Sequence, residues 1–215
     1  MIQLASVNSS DDIPTPHVRS HIFRAFISAS STPSLPLLVT TTDIRTPKVA
    51  QITSNPHVEL TWWIEGTQEQ YRISGSASVI PHPAHSLYRH FSDNIENAPK
   101  ESGLASLTRE SFEWEEKRKE IFKELSAHMK ASWCRPVPGT PLQGGEKEAR
   151  KWPVSIREPT DGEGEENWET ALGNFALLIV DPTEVDFVEL GVAPNRRTRF
   201  WKTNAGVWEE EYLVP

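Results

Sequence analysis

Residues 40–80, TTTDIRTPKVAQITSNPHVELTWWIEGTQEQYRISGSASVI, decide how the rest of the chain is read. The first part predicts a strand, a tight turn and a short helix. Thr46 suits an N-cap, Pro47 suits the first helical position, and Asn55-Pro56 stops the helix. Val58, Leu60, Trp62 and Ile64 then alternate with His57, Glu59, Thr61 and Trp63, the period-two pattern of a strand. Glu65-Gly66-Thr67 turns the chain, and Tyr71, Ile73, Gly75, Ala77 and Val79 alternate on the way back, which completes a β-hairpin.

The chemistry sits at the head of the helix. Amide N–H groups at a helix N-terminus are unpaired donors with partial positive charge, and Arg45 and Lys48 add two full charges beside them. Cations in a first helical turn oppose the macrodipole unless an anion offsets them. Single cations at helix starts are also common on solvated surfaces. The residues alone therefore leave two readings open, a phosphate site or a surface turn.

The order Thr42, Asp43, Arg45, Thr46, Lys48, Gln51, Ile52, Asn55, Pro56, Val58 is followed by an aromatic strand. Glu69, Gln70, Tyr71, Arg72, Ile73, Gly75 and Ala77 come next. This long, ordered pattern resembles the pyridoxamine-5′-phosphate-oxidase-like FMN-binding split barrels, in particular their Trp-rich branch. The resemblance implies a β-rich fold, a six- to eight-stranded antiparallel barrel of Greek-key type with added helices. It also implies FMN as cofactor and a homodimer with the flavin between protomers. The chemistry it implies is hydride transfer between a small substrate and the flavin, so an oxidoreductase is expected, with a flavin carrier or an interaction module as alternatives.

Composition sets the bounds. A chain of 215 residues suits one domain, here taken as 1–215 with a Pro/Gly-rich acidic insertion at about 135–170. Seventeen prolines and eleven glycines among alternating segments favour strands. A formal net charge of −8 argues against wide contact with nucleic acid or an anionic membrane. The one cysteine, Cys134, excludes an intrachain disulfide and a Cys-rich metal site, and it lies between Trp133 and Arg135-Pro136 with no ordered base. No apolar run has the length of a membrane span and no signal-peptide pattern opens the chain, so the cytoplasm is expected. Eight tryptophans are expected mainly in the core or a dimer interface.

Along the rest of the chain, residues 1–7 and 17–26 read as two strands. The resemblance places the second against the flavin: Arg19 and Arg24 match its two basic positions, His21 takes a usual valine place, and Ser20 lies between. It also implies a helix before the first strand. The chain opens on the strand itself, so a shortened N-terminus and an exposed edge are expected. Residues 37–42 read as the strand that feeds the turn, bringing Thr41 and Thr42 beside Arg45, Thr46 and Lys48. Gln70 is implied at the polar edge of the flavin ring, where an amide offers both a donor and an acceptor.

A helix is expected over residues 84–93 with Tyr88 at a substrate-phosphate position. The arginine and serine that should follow are Ser92 and Glu96, which weakens the case for a vitamin B6 phosphate as substrate. Residues 108–131 read as the longest helix, with residues 113–120 as a solvated charged face. Ser132 after it is a flavin-side candidate by resemblance. Residues 135–170 exceed ordinary loop length and so read as a functional flap or a partly disordered segment, their acidity favouring a solvated tether, with Asp161–Glu166 a poor metal loop. Residues 174–181 and 185–192 read as two strands turned at Pro182, and 196–202 with 207–214 as a last hairpin. There the resemblance puts Arg199 on the flavin and Arg197 near substrate, with Asn195 where a substrate arginine is usual. No acid–base catalyst and no metal site are evident.

Overall fold

The structure is a computed structural model that describes residues 1–10, 12–160 and 163–215. Nine strands form one antiparallel sheet: β1 (Ile2–Asn8), β2 (Thr15–His21), β3 (Ala25–Ile27), β4 (Leu37–Asp43), β5 (His57–Ile64), β6 (Glu69–Ile80), β7 (Phe175–Glu189), β8 (Arg196–Lys202) and β9 (Trp208–Leu213). The order is β2-β1-β5-β6-β7-β4-β3, and β8 and β9 extend the sheet from β7. Nine strands exceed the six to eight that the resemblance implies; of the segments read as strands, those over 174–181 and 185–192 fuse into β7, and that over 17–26 breaks at Ile22–Arg24. At that break the Thr40 hydroxyl donates to the Ile22 carbonyl at 2.8 Å and the Arg24 amide to the Val39 carbonyl at 2.9 Å. The two ends of the strand order are thus joined by three residues of chain and a side-chain bond, which gives a split barrel. β1 is not an edge, since it pairs with both β2 and β5; among the described residues β2, β3 and β9 pair on one side only.

The expected turn at Pro182 is absent, and β7 runs unbroken through it. Pro182 faces Gly75 at a register shift between Ser74 and Gly75, where a missing N–H costs no regular ladder bond. The same bulge explains the glycine in the motif: a Cβ at Gly75 would lie 3.0 Å from the Asp181 carbonyl carbon and closer still to its oxygen.

The helix α1 (Pro47–Ser54) lies where expected. The helix expected over 84–93 starts later, as α2 (Tyr88–Glu96). The long helix expected over 108–131 is three pieces, α3 (Gly103–Arg109), α4 (Trp114–Glu124) and α5 (Ala127–Ser132). Leu125 is extended, and the Ser126 hydroxyl caps α5 by accepting from the Met129 amide at 3.2 Å. Nor is the charged run wholly solvated: Arg118 is fully buried. Within 135–170 the chain forms α6 (Gly145–Ala149) and the start of α7 (Glu165–Asn174). Part of Asp161–Glu166 lies outside the described residues.

β4 and β7 are buried on both faces, which is why 177–180 is a continuous apolar run rather than an alternating one. Leu38, Leu178 and Val180 face the barrel interior with Ile2, Leu4 and Leu60. Leu37, Val39, Leu177 and Ile179 face a helical layer of Phe91, Trp114, Phe122 and Trp133. The turn after β4 is therefore held from both sides, and it carries the residues described next.

Candidate functional site

The β4–α1 turn is closed by its own side chains. The Asp43 carboxylate accepts from the Arg45 amide at 2.9 Å and from Arg45 Nε and Nη2 at 3.0 and 2.7 Å. Arg45 Nη2 also reaches the Trp133 carbonyl at 3.2 Å, while Trp133 Nε1 donates to the Thr42 carbonyl at 3.3 Å. These bonds lock the end of α5 onto the turn. Thr46 is the N-cap residue, but its hydroxyl turns back to the Asp43 carbonyl at 2.8 Å, so no side chain closes the first amides of α1.

Lys48 donates to Thr42 Oγ1 at 2.8 Å, and Thr42 Oγ1 lies 3.3 Å from Thr46 Oγ1. Behind them Arg19 Nη1 donates to Ser6 Oγ at 3.0 Å, and Ser6 Oγ donates to Gln51 Oε1 at 2.8 Å. Ser6 and Gln51 are both buried, so this relay fixes Arg19 on β2 to α1 through β1. His21 is buried, with Nδ1 3.3 Å from Thr40 Oγ1 and Nε2 without a partner. Arg24 donates to the Met129 sulfur at 3.0 Å, a weak acceptor, and its buried Nε is also unpartnered.

The cations repel one another. Burial, and then the Arg19 charge, lower the Lys48 pKa to about 8, partly offset by Asp43. Burial, then Lys48 and Arg19, lower His21 to about 4. His21 is therefore neutral at pH 7. Because its folded pKa lies below its unfolded value, an unfolded chain takes up the proton first as pH falls. Stability present at pH 7 is thus lost between pH 6.5 and 4, on the order of 3 kcal/mol for a shift of this size. His21→Leu is expected to flatten that part of the profile, checked by comparing urea midpoints of the two proteins at pH 7, 5.5 and 4.5.

A cavity of about 1130 Å³ opens at this turn. Of the residues expected at a flavin, Ser20, His21, Arg24, Thr41, Thr42 and Arg45 line it, as do Thr46, Lys48 and Ser132. Ser20 Oγ meanwhile donates to Gln3 Oε1 at 3.0 Å and Ser132 Oγ to the Met129 carbonyl at 2.6 Å. Arg19 stands outside the lining, though its charge acts on Lys48 and His21.

Three expected residues lie elsewhere. Gln70 pairs with Val188 and Val188 with Arg197, and the alternation of a strand puts Arg72, Asp186 and Arg199 on the same sheet face. There Arg197 binds Asp186 through Nε at 2.9 Å and Nη2 at 2.8 Å, Arg72 binds it at 3.0 Å, and Arg199 binds Glu184 at 2.7 Å. The Arg197 guanidinium holds the Asp186 carboxyl below the usual range. Tyr88 is in neither group: its ring packs 6.1 Å from Phe91 at the margin of the helical core.

The opposite cavity wall comes from Met129, Trp133, residues 135–143, Glu148 and Trp152, mostly in the segment for which a flap is one of the expected readings. The signal for it is position, since PVPGTP begins four residues after Ser132. Cys134 donates its thiol proton to the Asn167 carbonyl at 3.0 Å and burial raises its pKa, so it is a poor nucleophile.

A split barrel with this phosphate-type turn defines the FMN-binding split barrels. Residues 1–81 match the family model described as pyridoxamine 5′-phosphate oxidase, FMN-binding domain, a likeness that supports FMN as the cofactor. Pyridoxine/pyridoxamine 5′-phosphate oxidase 2 of Arabidopsis thaliana is 22% identical, with 100% of this chain and 86% of the relative covered. A pyridoxamine 5′-phosphate oxidase-related, FMN-binding protein of Nostoc punctiforme has the same fold with a TM-score of 0.67. It is 24% identical over 100% of this chain and 87% of its own. PhzG of Burkholderia lata, solved with tetrahydrophenazine-1-carboxylic acid, follows with a TM-score of 0.59 and 15% identity over 100% and 81%. No helix among the described residues is long and apolar enough to cross a membrane.

Proposed function

We propose that the chain is an FMN-dependent oxidoreductase that works as a homodimer in the cytoplasm, each protomer folding as one domain over 1–215. The observation that carries this reading is the Arg19–His21–Lys48 cluster. Burial and the Arg19 charge depress Lys48, burial and both cations depress His21, and no carboxylate is hydrogen-bonded to Lys48 or Arg19 among the described residues. A phosphate dianion fits that cluster: it would take charge-assisted bonds from the Lys48 ammonium and a bond from the Lys48 amide, Pro47 having no N–H and the Val49 amide being bonded to the Thr46 carbonyl. The unpartnered Nε atoms of His21 and Arg24 supply further polar groups along the same cavity.

The homodimer follows from the two-way division of the expected residues. Gln70, Arg197 and Arg199 share a sheet face outside the cavity, so one protomer alone does not assemble the set. A flavin lying between the cavity of one protomer and this face of its partner would use both. When bound, FMN supplies hydride chemistry at its N5. The chain's own part is to hold the phosphate, to orient the ring through Gln70, and to keep His21 neutral beside it.

A carrier with little turnover is the second reading. It is favoured by Ser92, whose hydroxyl is spent on the Tyr88 carbonyl at 3.2 Å, and by Arg197, already paired with Asp186. Purified protein is expected to be yellow or to take up one FMN per chain, with a dimer mass by light scattering. Photoreduced holoprotein returning to the oxidised spectrum in air within seconds favours the oxidoreductase, and return over hours favours the carrier. A colourless protein that takes up no FMN rejects both.

A further inference from the structure

Residues 135–152 form a strap with both ends fixed on α5. Cys134 N–H donates to the Ala131 carbonyl at 3.2 Å at one end, and Ile156 N–H donates to the Ala127 carbonyl at 3.0 Å at the other. Next to the second anchor His128 Nδ1 lies 2.6 Å from the Val154 carbonyl. Between the anchors, among the described residues, hydrogen bonds and ion pairs from residues 136–152 run only within the strap. Examples are Thr140 to Val137, Lys151 to Glu148 and Trp152 to Ala149. The strap therefore hangs from one helix, and the side it turns to the barrel is cavity wall.

The two walls differ in chemistry. The barrel wall carries Arg24 and Lys48 without a carboxylate bonded to them, and Arg45 paired with Asp43. The strap wall carries one cation and one anion, Arg135 and Glu148, and is otherwise neutral, with Val137, Leu142, Trp152 and prolines. A cavity of about 1130 Å³ exceeds the roughly 300–1,000 Å³ of an ordinary small-molecule site, which leaves room for a second molecule beside a cofactor. Among the described residues the sheet face that bears Gln70 has no cation free of a carboxylate to offer a second phosphate either: Arg72 and Arg197 are held by Asp186, and Arg199 by Glu184.

We infer that the strap is the wall of a second-ligand subsite, and that this ligand is a flat, apolar molecule without a phosphate group. The inference rests on the flavin reading for what fills the cation side, but the strap's own role is tested separately. Its ring stacks on Trp152, and Val137 and Leu142 cover its edges. Uncharged, flat Nile red is the probe, with pyridoxal 5′-phosphate as competitor, on FMN-saturated protein.

Wild type is expected to bind the dye saturably with blue-shifted emission. Trp152→Ala should weaken binding several-fold, and replacing residues 136–151 with a Gly-Ser-Gly-Ser linker at least tenfold. Millimolar pyridoxal 5′-phosphate should not displace the dye. Far-UV circular dichroism shows whether each variant is folded. The inference is overturned if the strap-replaced protein binds dye within twofold of wild type, or if pyridoxal 5′-phosphate displaces it. FMN titration of the same proteins scores the flavin reading by itself. Where no FMN is taken up, that reading fails and the dye comparison still decides the strap.

Discussion

Lys48→Met is expected to weaken FMN binding about 10- to 100-fold and at the same time to raise the melting temperature of the flavin-free protein. The loss follows from removing one charge-assisted bond to a phosphate, about 1.5–3 kcal/mol. The gain follows from the folded-state pKa. Lys48 falls from 10.5 to about 8 on folding, so the charged form is held at a cost wherever the pH is below about 8. Between 8 and 10.5 the unfolded chain binds more protons than the folded one, and wild-type stability rises with pH through that window. Methionine has no charge to desolvate, so the variant loses both the cost and the pH dependence. A gain of about 1–3 kcal/mol corresponds to several degrees for a chain of this size.

Binding adds its own sign. An anion on Lys48 raises its pKa again, so uptake of FMN takes up a proton once the pH exceeds about 8 in the free protein. Wild-type affinity should therefore hold steady up to about pH 8 and fall above it. The Lys48→Met protein should show no such fall. Fluorescence titration of FMN at pH 7, 8.5 and 9.5, with thermal melts of the flavin-free proteins, checks each part. A variant that binds FMN like wild type at pH 7 would remove Lys48 from the phosphate site.

How much of this was legible in the sequence depended on how local the determining physics is. The β4–α1 turn was readable because a proline, a cap residue and two cations act within one helical turn. Gly75 was marked by the motif, but its reason, the carbonyl of Asp181 across a bulge, lies more than a hundred residues away. Pro182 misled for the same reason: a proline in an apolar run signals a turn, and only the bulge opposite makes it compatible with a strand. Arg118 sits in a run of six charged residues, 115–120, and nothing in that spacing separates the one that points inward. The division of the flavin residues into a cavity set and a sheet-face set was hidden because Gln70, Arg197 and Arg199 meet only through the β6–β7–β8 register. The choice between flap and tether for residues 135–170 is open in the sequence because prolines and glycines describe how a segment bends and not what it lies against.

Arg118→Met is expected to destabilise the protein by about 3–5 kcal/mol, the range for breaking a buried, hydrogen-bonded charge. Arg118 has no exposed surface, and it forks onto Glu115 through Nε at 2.7 Å and Nη2 at 3.0 Å. Its Nη1 meets the Leu172 carbonyl at 2.7 Å and the Phe175 carbonyl at 2.9 Å, the last turn of α7 and the first residue of β7. Methionine fills much of the space but takes the side-chain donor away from the two carbonyls and from the Glu115 carboxylate. Arg118→Lys should recover less than half the loss, because an ammonium cannot hold the fork and both carbonyls together. Glu115→Gln should cost about 1 kcal/mol or less, since Glu115 is 20% exposed and can turn to solvent. The ranking separates the carbonyl bonds from the ion pair: equal losses for Arg118→Met and Glu115→Gln would assign the effect to the pair. The junction matters to the site because Asn174 Nδ2 donates to the Trp133 carbonyl at 2.9 Å and the Asn174 carbonyl accepts from the Ile44 amide at 2.9 Å. Arg118 thus holds the segment on which the turn and the strap anchor both rest. Its loss should lower the urea midpoint strongly while FMN affinity, measured where the protein remains folded, changes by no more than a few-fold.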